Sequence, residues 1–160
     1  MRLKQGSTLF LKIVISLIGI VTLAAMIRLP QLEGRSANLD LISIYEDPLI
    51  IYTFLASIPF FIALYQGFKL LGYVDQNRVF SQLALEAVKK IKYCAMSLPV
   101  LIIIGEAYII FGANGDDAAG PVALGIFATF ASIVIATGVA IFERLLQNAV
   151  DLKSENDFTV

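Results

Sequence analysis

The sequence predicts an all-α integral membrane protein: a four-helix bundle with both termini in the cytoplasm and an amphipathic cytoplasmic helix between spans two and three. Three observations predict it. Four long apolar stretches fall at about residues 9–29, 48–71, 93–111 and 121–142, and a helix needs about 20 mostly apolar residues to cross the hydrocarbon of a bilayer. The chain is 58% hydrophobic and 16% charged, with a mean hydropathy of +0.81, whereas a soluble domain carries about 25% charged residues. Of the 12 Lys and Arg residues, only Arg28 and Arg35 fall in loops that alternation places outside. Basic residues favour the cytoplasmic side of short loops. The connector at about 72–92 and the tail at 143–160 are therefore expected inside, and the loops at about 30–47 and 112–120 outside. Those outer loops are acidic, through Glu33, Asp40, Glu46, Asp47, Asp116 and Asp117. Residues 1–160 read as a single membrane domain.

The first span follows Gly6-Ser7-Thr8, which supplies N-cap candidates. Lys12 sits one turn inside it, where its stem can reach the inner headgroups. Arg28-Leu29-Pro30 marks its end. The apolar run is long for a signal peptide, and Thr22-Leu23-Ala24 is a poor cleavage site, so the span is read as uncleaved. Span two contains Pro59, which would free the carbonyl of Leu55 and kink the helix. Tyr52 and Tyr73, near its ends, suit an aromatic belt.

In the connector, Phe80, Leu83, Ala84, Ala87, Val88 and Ile91 recur at helical spacing and share one face. Gln82, Glu86, Lys89, Lys90 and Lys92 lie mostly off it. Ser81 is placed to cap this helix, and Phe80 to staple against Leu85. Two roles fit the pattern. The helix can lie on the bilayer with its lysines on anionic lipid, or dock a cytoplasmic partner through Phe80, Leu83, Lys89, Lys90 and Lys92.

Span three contains Pro99, and its outer part reads Gly105-Glu106-Ala107-Tyr108 before the turn signal Asn114-Gly115. Span four carries Ala128, Ser132, Ala136 and Ala140 at a strict spacing of four. Small residues at that spacing let helices approach closely, either inside the bundle or along a homo-oligomer seam. Beyond it Phe142, Leu145, Leu146, Ala149 and Val150 continue a helical stripe. Lys153, Glu155 and Asp157 of the tail form a second candidate docking segment.

Composition excludes much chemistry. Histidine is absent and Cys94 is the single cysteine, so no intramolecular disulfide or multi-thiolate metal site is available. No P-loop, zinc motif or nucleophile–base pair is visible. Neither an enzyme, a cofactor nor a metal is expected, and a net charge of −1 gives no basis for direct nucleic-acid binding. Glu106 is the exception. An acidic side chain inside a span is costly and points to a partner or a function. Arg28, at similar depth on span one, is the expected partner, and the sharper reading is a proton or cation site.

Four segments together carry a family resemblance: Lys4-Gln5-Gly6-Ser7-Thr8-Leu9-Phe10-Leu11-Lys12, Ile58-Pro59-Phe60-Phe61-Ile62-Ala63-Leu64-Tyr65-Gln66, Ile91-Lys92-Tyr93-Cys94-Ala95, and the ending from Leu145 through Lys153-Ser154-Glu155-Asn156-Asp157. The chain resembles the YoaS-like bacterial membrane proteins, domain-of-unknown-function family 2975. The resemblance implies a small four-span protein of the bacterial cytoplasmic membrane, without assigned activity. It also implies a regulatory partnership with a very small helix-turn-helix regulator, and it carries no catalytic residues. The leading expectation is a non-enzymatic regulator or sensor whose partners are the lipid bilayer and that regulator. A small oligomeric transport or resistance protein using Glu106 is the alternative. An immunity protein that holds a cationic membrane-active peptide on Asp116 and Asp117 is the third.

Overall fold

The computed structural model describes residues 2–32, 45–112 and 119–158. They form four helices: α1 Arg2–Leu32, α2 Pro48–Asp75, α3 Gln82–Gly112 and α4 Ala119–Phe158. The described residues contain no strand. All four helices are long and apolar enough to cross a membrane. Their outer faces are covered with apolar side chains such as Phe10, Ile20, Phe127 and Phe130. In water such a surface would drive association. In lipid it is the expected exterior, because helices satisfy their own backbone hydrogen bonds.

Among the described residues the helices pack in chain order, α1 on α2, α2 on α3 and α3 on α4, without substantial packing of α1 on α4. The expected bundle is thus an open row rather than a closed ring. Lys12 near the start of α1 pairs with Asp75 at the end of α2, and Lys92 near the start of α3 pairs with Glu143 of α4. Neighbouring helices are therefore antiparallel, and both termini lie at one end of the molecule, called here the termini end.

Local signals fix the helix boundaries. Asp47 caps α2 by accepting from the Leu49 N–H at 2.8 Å, with Pro48 in the first position. At the other end Asn77 adopts φ 56°, the left-handed conformation that closes a Schellman motif. There the Arg78 N–H donates to the Tyr73 carbonyl at 2.8 Å and the Asn77 N–H to the Val74 carbonyl at 3.1 Å. Ser81 then caps α3 by accepting from the Ala84 N–H at 3.3 Å. Helices α2 and α3 continue through Pro59 and Pro99.

The sequence reading is corrected at two places. Helix α1 runs back through Gly6-Ser7-Thr8 to Arg2, and Thr8 spends its hydroxyl on Asp75 rather than on a cap. The amphipathic segment after Ser81 is not a separate helix. It forms the first turns of α3, continuous with the third span. No Gly or Pro occurs from Gln82 to Leu98, so nothing stops a helix capped at Ser81 before the membrane.

The apolar face of that segment also does not lie on lipid. Ala84, Leu85 and Val88 are buried together with Leu146 and Val150 of α4, and Leu70, Tyr73 and Val139 pack against them. The best-buried side chains of the molecule therefore sit at the termini end, where α3 and α4 outrun the apolar spans. At 40 residues, α4 is about 60 Å long against about 30 Å of hydrocarbon. Helix outside the bilayer must hide its apolar side chains from water, and these helices do so against each other.

Candidate functional site

Two regions carry chemistry, at opposite ends of α3 and α4. The first is a cavity of about 260 Å³ in the half away from the termini, bounded by α2, α3 and α4. Two glycines shape it. At Gly105 of α3 an added Cβ would lie 3.2 Å from the Tyr52 ring, so the bare backbone admits Tyr52 from α2. The Tyr52 hydroxyl then donates to the Leu101 carbonyl at 2.6 Å. At Gly125 of α4 an added Cβ would lie 1.9 Å from Glu106 Oε1. The Glu106 carboxyl therefore lies in the space where any other residue of α4 would place a side chain.

Glu106 Oε1 is buried and accepts no hydrogen bond. Thr129 Oγ1, one helical turn from Gly125, is the other buried side-chain polar atom in this state among the described residues. The expected Arg28 partner is not there. Arg28 is exposed on α1, and the ion pairs among the described residues are Lys12–Asp75 and Lys92–Glu143. The reason is the packing order: α1 lies on α2, while Glu106 faces α4. Matching depth in the sequence did not mean adjacent helices.

The second region is the surface of the termini end. Lys92 and Glu143 are joined at 2.6 Å and are largely covered. Together with Lys89, Arg144, Gln147 and Asn148 they line a polar cleft of about 400 Å³. Phe80 and Leu83 stand about half exposed beside it in sequence, and Leu145 and Leu152 of α4 are exposed too. Lys90, Lys153 and Glu155 are exposed. The Asp157 side chain lies outside the described residues, as do Asp116 and Asp117. Lysine ammonium groups also lie over rings here, with Lys12 Nζ 5.7 Å from the Phe68 ring centre and Lys92 Nζ 4.9 Å from that of Tyr93.

Ala128, Ser132, Ala136 and Ala140 fall on the sheltered face of α4, with Ala136 buried, while Phe127, Phe130, Val134 and Ile141 face outward. Sequence reasoning missed Asp75, Glu143, Tyr52 and Gly125 as partners. The available signal was depth: Lys12 lies inside a span and needs a carboxylate, and Asp75 is the acidic residue at the matching end of α2.

Four apolar helices and, among the described residues, an apolar exterior with its ion pairs at one end define a multi-pass α-helical membrane protein. The family model described as "Protein of unknown function (DUF2975)" matches residues 20–160. The chain is also 46% identical over 160 residues to the "Uncharacterized membrane protein YoaS" of Bacillus subtilis (strain 168), covering 99% of this chain and 100% of that one. The chain belongs to the DUF2975 family. No solved structure matches it.

Proposed function

We propose that this protein is a non-enzymatic sensor or regulator of the bacterial cytoplasmic membrane, with its termini end in the cytoplasm. Its output is a small helix-turn-helix transcription factor held at that end. One observation carries the reading. Helices α3 and α4 form both regions and run unbroken between them. Glu106 meets Gly125 at one end, and Leu85 and Lys92 of α3 meet Leu146 and Glu143 of α4 at the other. A change in α3–α4 spacing at the cavity is thus delivered to the cytoplasmic surface, the kind of helix shift that switches use. The partner's identity rests on the family resemblance, and its landing site on Phe80, Leu83, Lys89, Lys90 and Lys92 with the tail residues Lys153, Glu155 and Asp157.

Orientation is tested by cysteine labelling in a Cys94→Ala background. Glu46→Cys is expected to react with an impermeant maleimide in intact cells, and Ser154→Cys only after lysis. The opposite pattern would invert the protein and remove the proposed output. Partner capture is tested by crosslinking in living cells, purification on an N-terminal tag and mass spectrometry. A helix-turn-helix protein is expected in near-equal amount, and deleting residues 153–160 is expected to abolish its recovery while leaving membrane insertion intact. Unchanged capture after the deletion would refute the tail's role.

The unpartnered carboxyl of Glu106 also favours a second reading, a small oligomeric transport or resistance protein. That reading requires Glu106→Gln to abolish efflux or resistance.

A further inference from the structure

We infer that the cavity at Glu106 is a binding site for a small amphiphilic monocation, an ammonium head on a compact apolar body. The cavity, at about 260 Å³, lies just below the range of about 300–1,000 Å³ that holds drug-sized ligands. Its wall is mainly apolar, through Leu49, Leu98, Ile102, Ile109 and Pro121. Glu106 carries its single carboxyl group, and no Lys or Arg lines it.

The polar groups of the wall decide the sign of the ligand. The Tyr52 hydroxyl donates to the Leu101 carbonyl at 2.6 Å, and the Thr53 hydroxyl donates to the Leu49 carbonyl at 2.8 Å. Both protons are therefore turned into helix backbone. The Glu106 carboxyl lines the same cavity, and its Oε1, tucked against Gly125, is left without a hydrogen-bond partner. A buried acceptor without a donor is costly, and an ionised one more so. A ligand that supplies positive charge offsets that cost, and its apolar body lies against the wall of Leu49, Leu98, Ile102, Ile109 and Pro121. A neutral ligand gains only the apolar wall, and an anion meets repulsion. The inference deepens the sensor reading by naming the ligand class, and rests on that reading only for the ligand's purpose.

The test uses benzyltrimethylammonium and its neutral isostere neopentylbenzene, titrated calorimetrically into the full chain in maltoside micelles. Saturable binding of the cation is expected, at least about tenfold tighter than the neutral probe, because a cation beside a partly buried carboxylate is attracted far more strongly than in bulk water. Glu106→Gln is expected to remove that preference while leaving the neutral probe's affinity unchanged. Equal affinity of the two probes for the wild-type chain overturns the inference, and this comparison needs no variant. Tighter binding of neopentylbenzene, as for a site that holds a lipid tail, overturns it too. So does failure of the wild-type chain to bind the cation while its helical circular dichroism is intact. Binding is read on the isolated chain, so it can fail while partner capture stands, and partner capture can fail while binding stands.

Discussion

Leu85→Ala is expected to destabilise the protein by about 2–5 kcal/mol, the cost of emptying a packed leucine site. Leu85 is 1% exposed and sits between α3 and α4 with Val88, Leu146 and Val150. The control is Leu83→Ala, two residues away on the same helix and 51% exposed. A surface change of that kind is expected to stay within about 0.5 kcal/mol. The thermal midpoint of the helical circular dichroism in maltoside micelles measures both. Equal midpoints for the two variants would mean that the first turns of α3 lie on the lipid surface, not on α4. The experiment thus decides between two homes for one amphipathic face. In the structure Ala84, Leu85 and Val88 are committed within the chain, whereas Leu83 and Lys90 are exposed.

Gly125→Ala is expected to be destabilising through Glu106 specifically. The new Cβ would lie 1.9 Å from Oε1, 2.7 Å from Cδ and 2.8 Å from Cγ, so the whole carboxyl group must be re-aimed. Overpacking of this kind costs about 1–3 kcal/mol. In a Glu106→Ala background the same methyl has room, and its cost is expected to fall below about 0.5 kcal/mol, a coupling that contacting residues show and distant ones do not. The same thermal melts on the four proteins of the cycle measure it. An equal cost of Gly125→Ala in both backgrounds would show that Glu106 does not occupy the Gly125 notch. Gly125→Ala should also weaken binding of the ammonium probe, because the displaced carboxyl no longer faces the same space.

The spans were legible because bilayer thickness and backbone hydrogen bonding leave little freedom: four apolar runs of spanning length give four helices. The Ser81 cap was legible because its hydroxyl acts on neighbours in sequence. The continuity of α3 was not read, although the absence of Gly and Pro from Gln82 to Leu98 was in plain view. Composition changes from charged to apolar near Lys92, but composition does not break helices, and α3 runs through. The position of Glu106 within an apolar run was legible, and its Oε1 is buried. Its surroundings were not legible, since a Glu–Gly contact between α3 and α4 depends on which helices are neighbours. Arg28 had the right depth and the wrong helix. Lys12 and Lys92 were read as snorkelling or lipid-facing. Their carboxylate partners, Asp75 and Glu143, lie on the next helix in each case, which the order of packing supplies and charge counting does not.

The central claim is that the cavity and the termini-end surface report to each other through α3 and α4. Its most direct test is the crosslinked capture experiment performed with and without benzyltrimethylammonium, on wild-type and Glu106→Gln cells. The amount of helix-turn-helix protein recovered from wild-type cells is expected to change severalfold on adding the cation, and to stay constant in the Glu106→Gln strain. Recovery that is indifferent to the cation in both strains, or that responds equally in both, would contradict it.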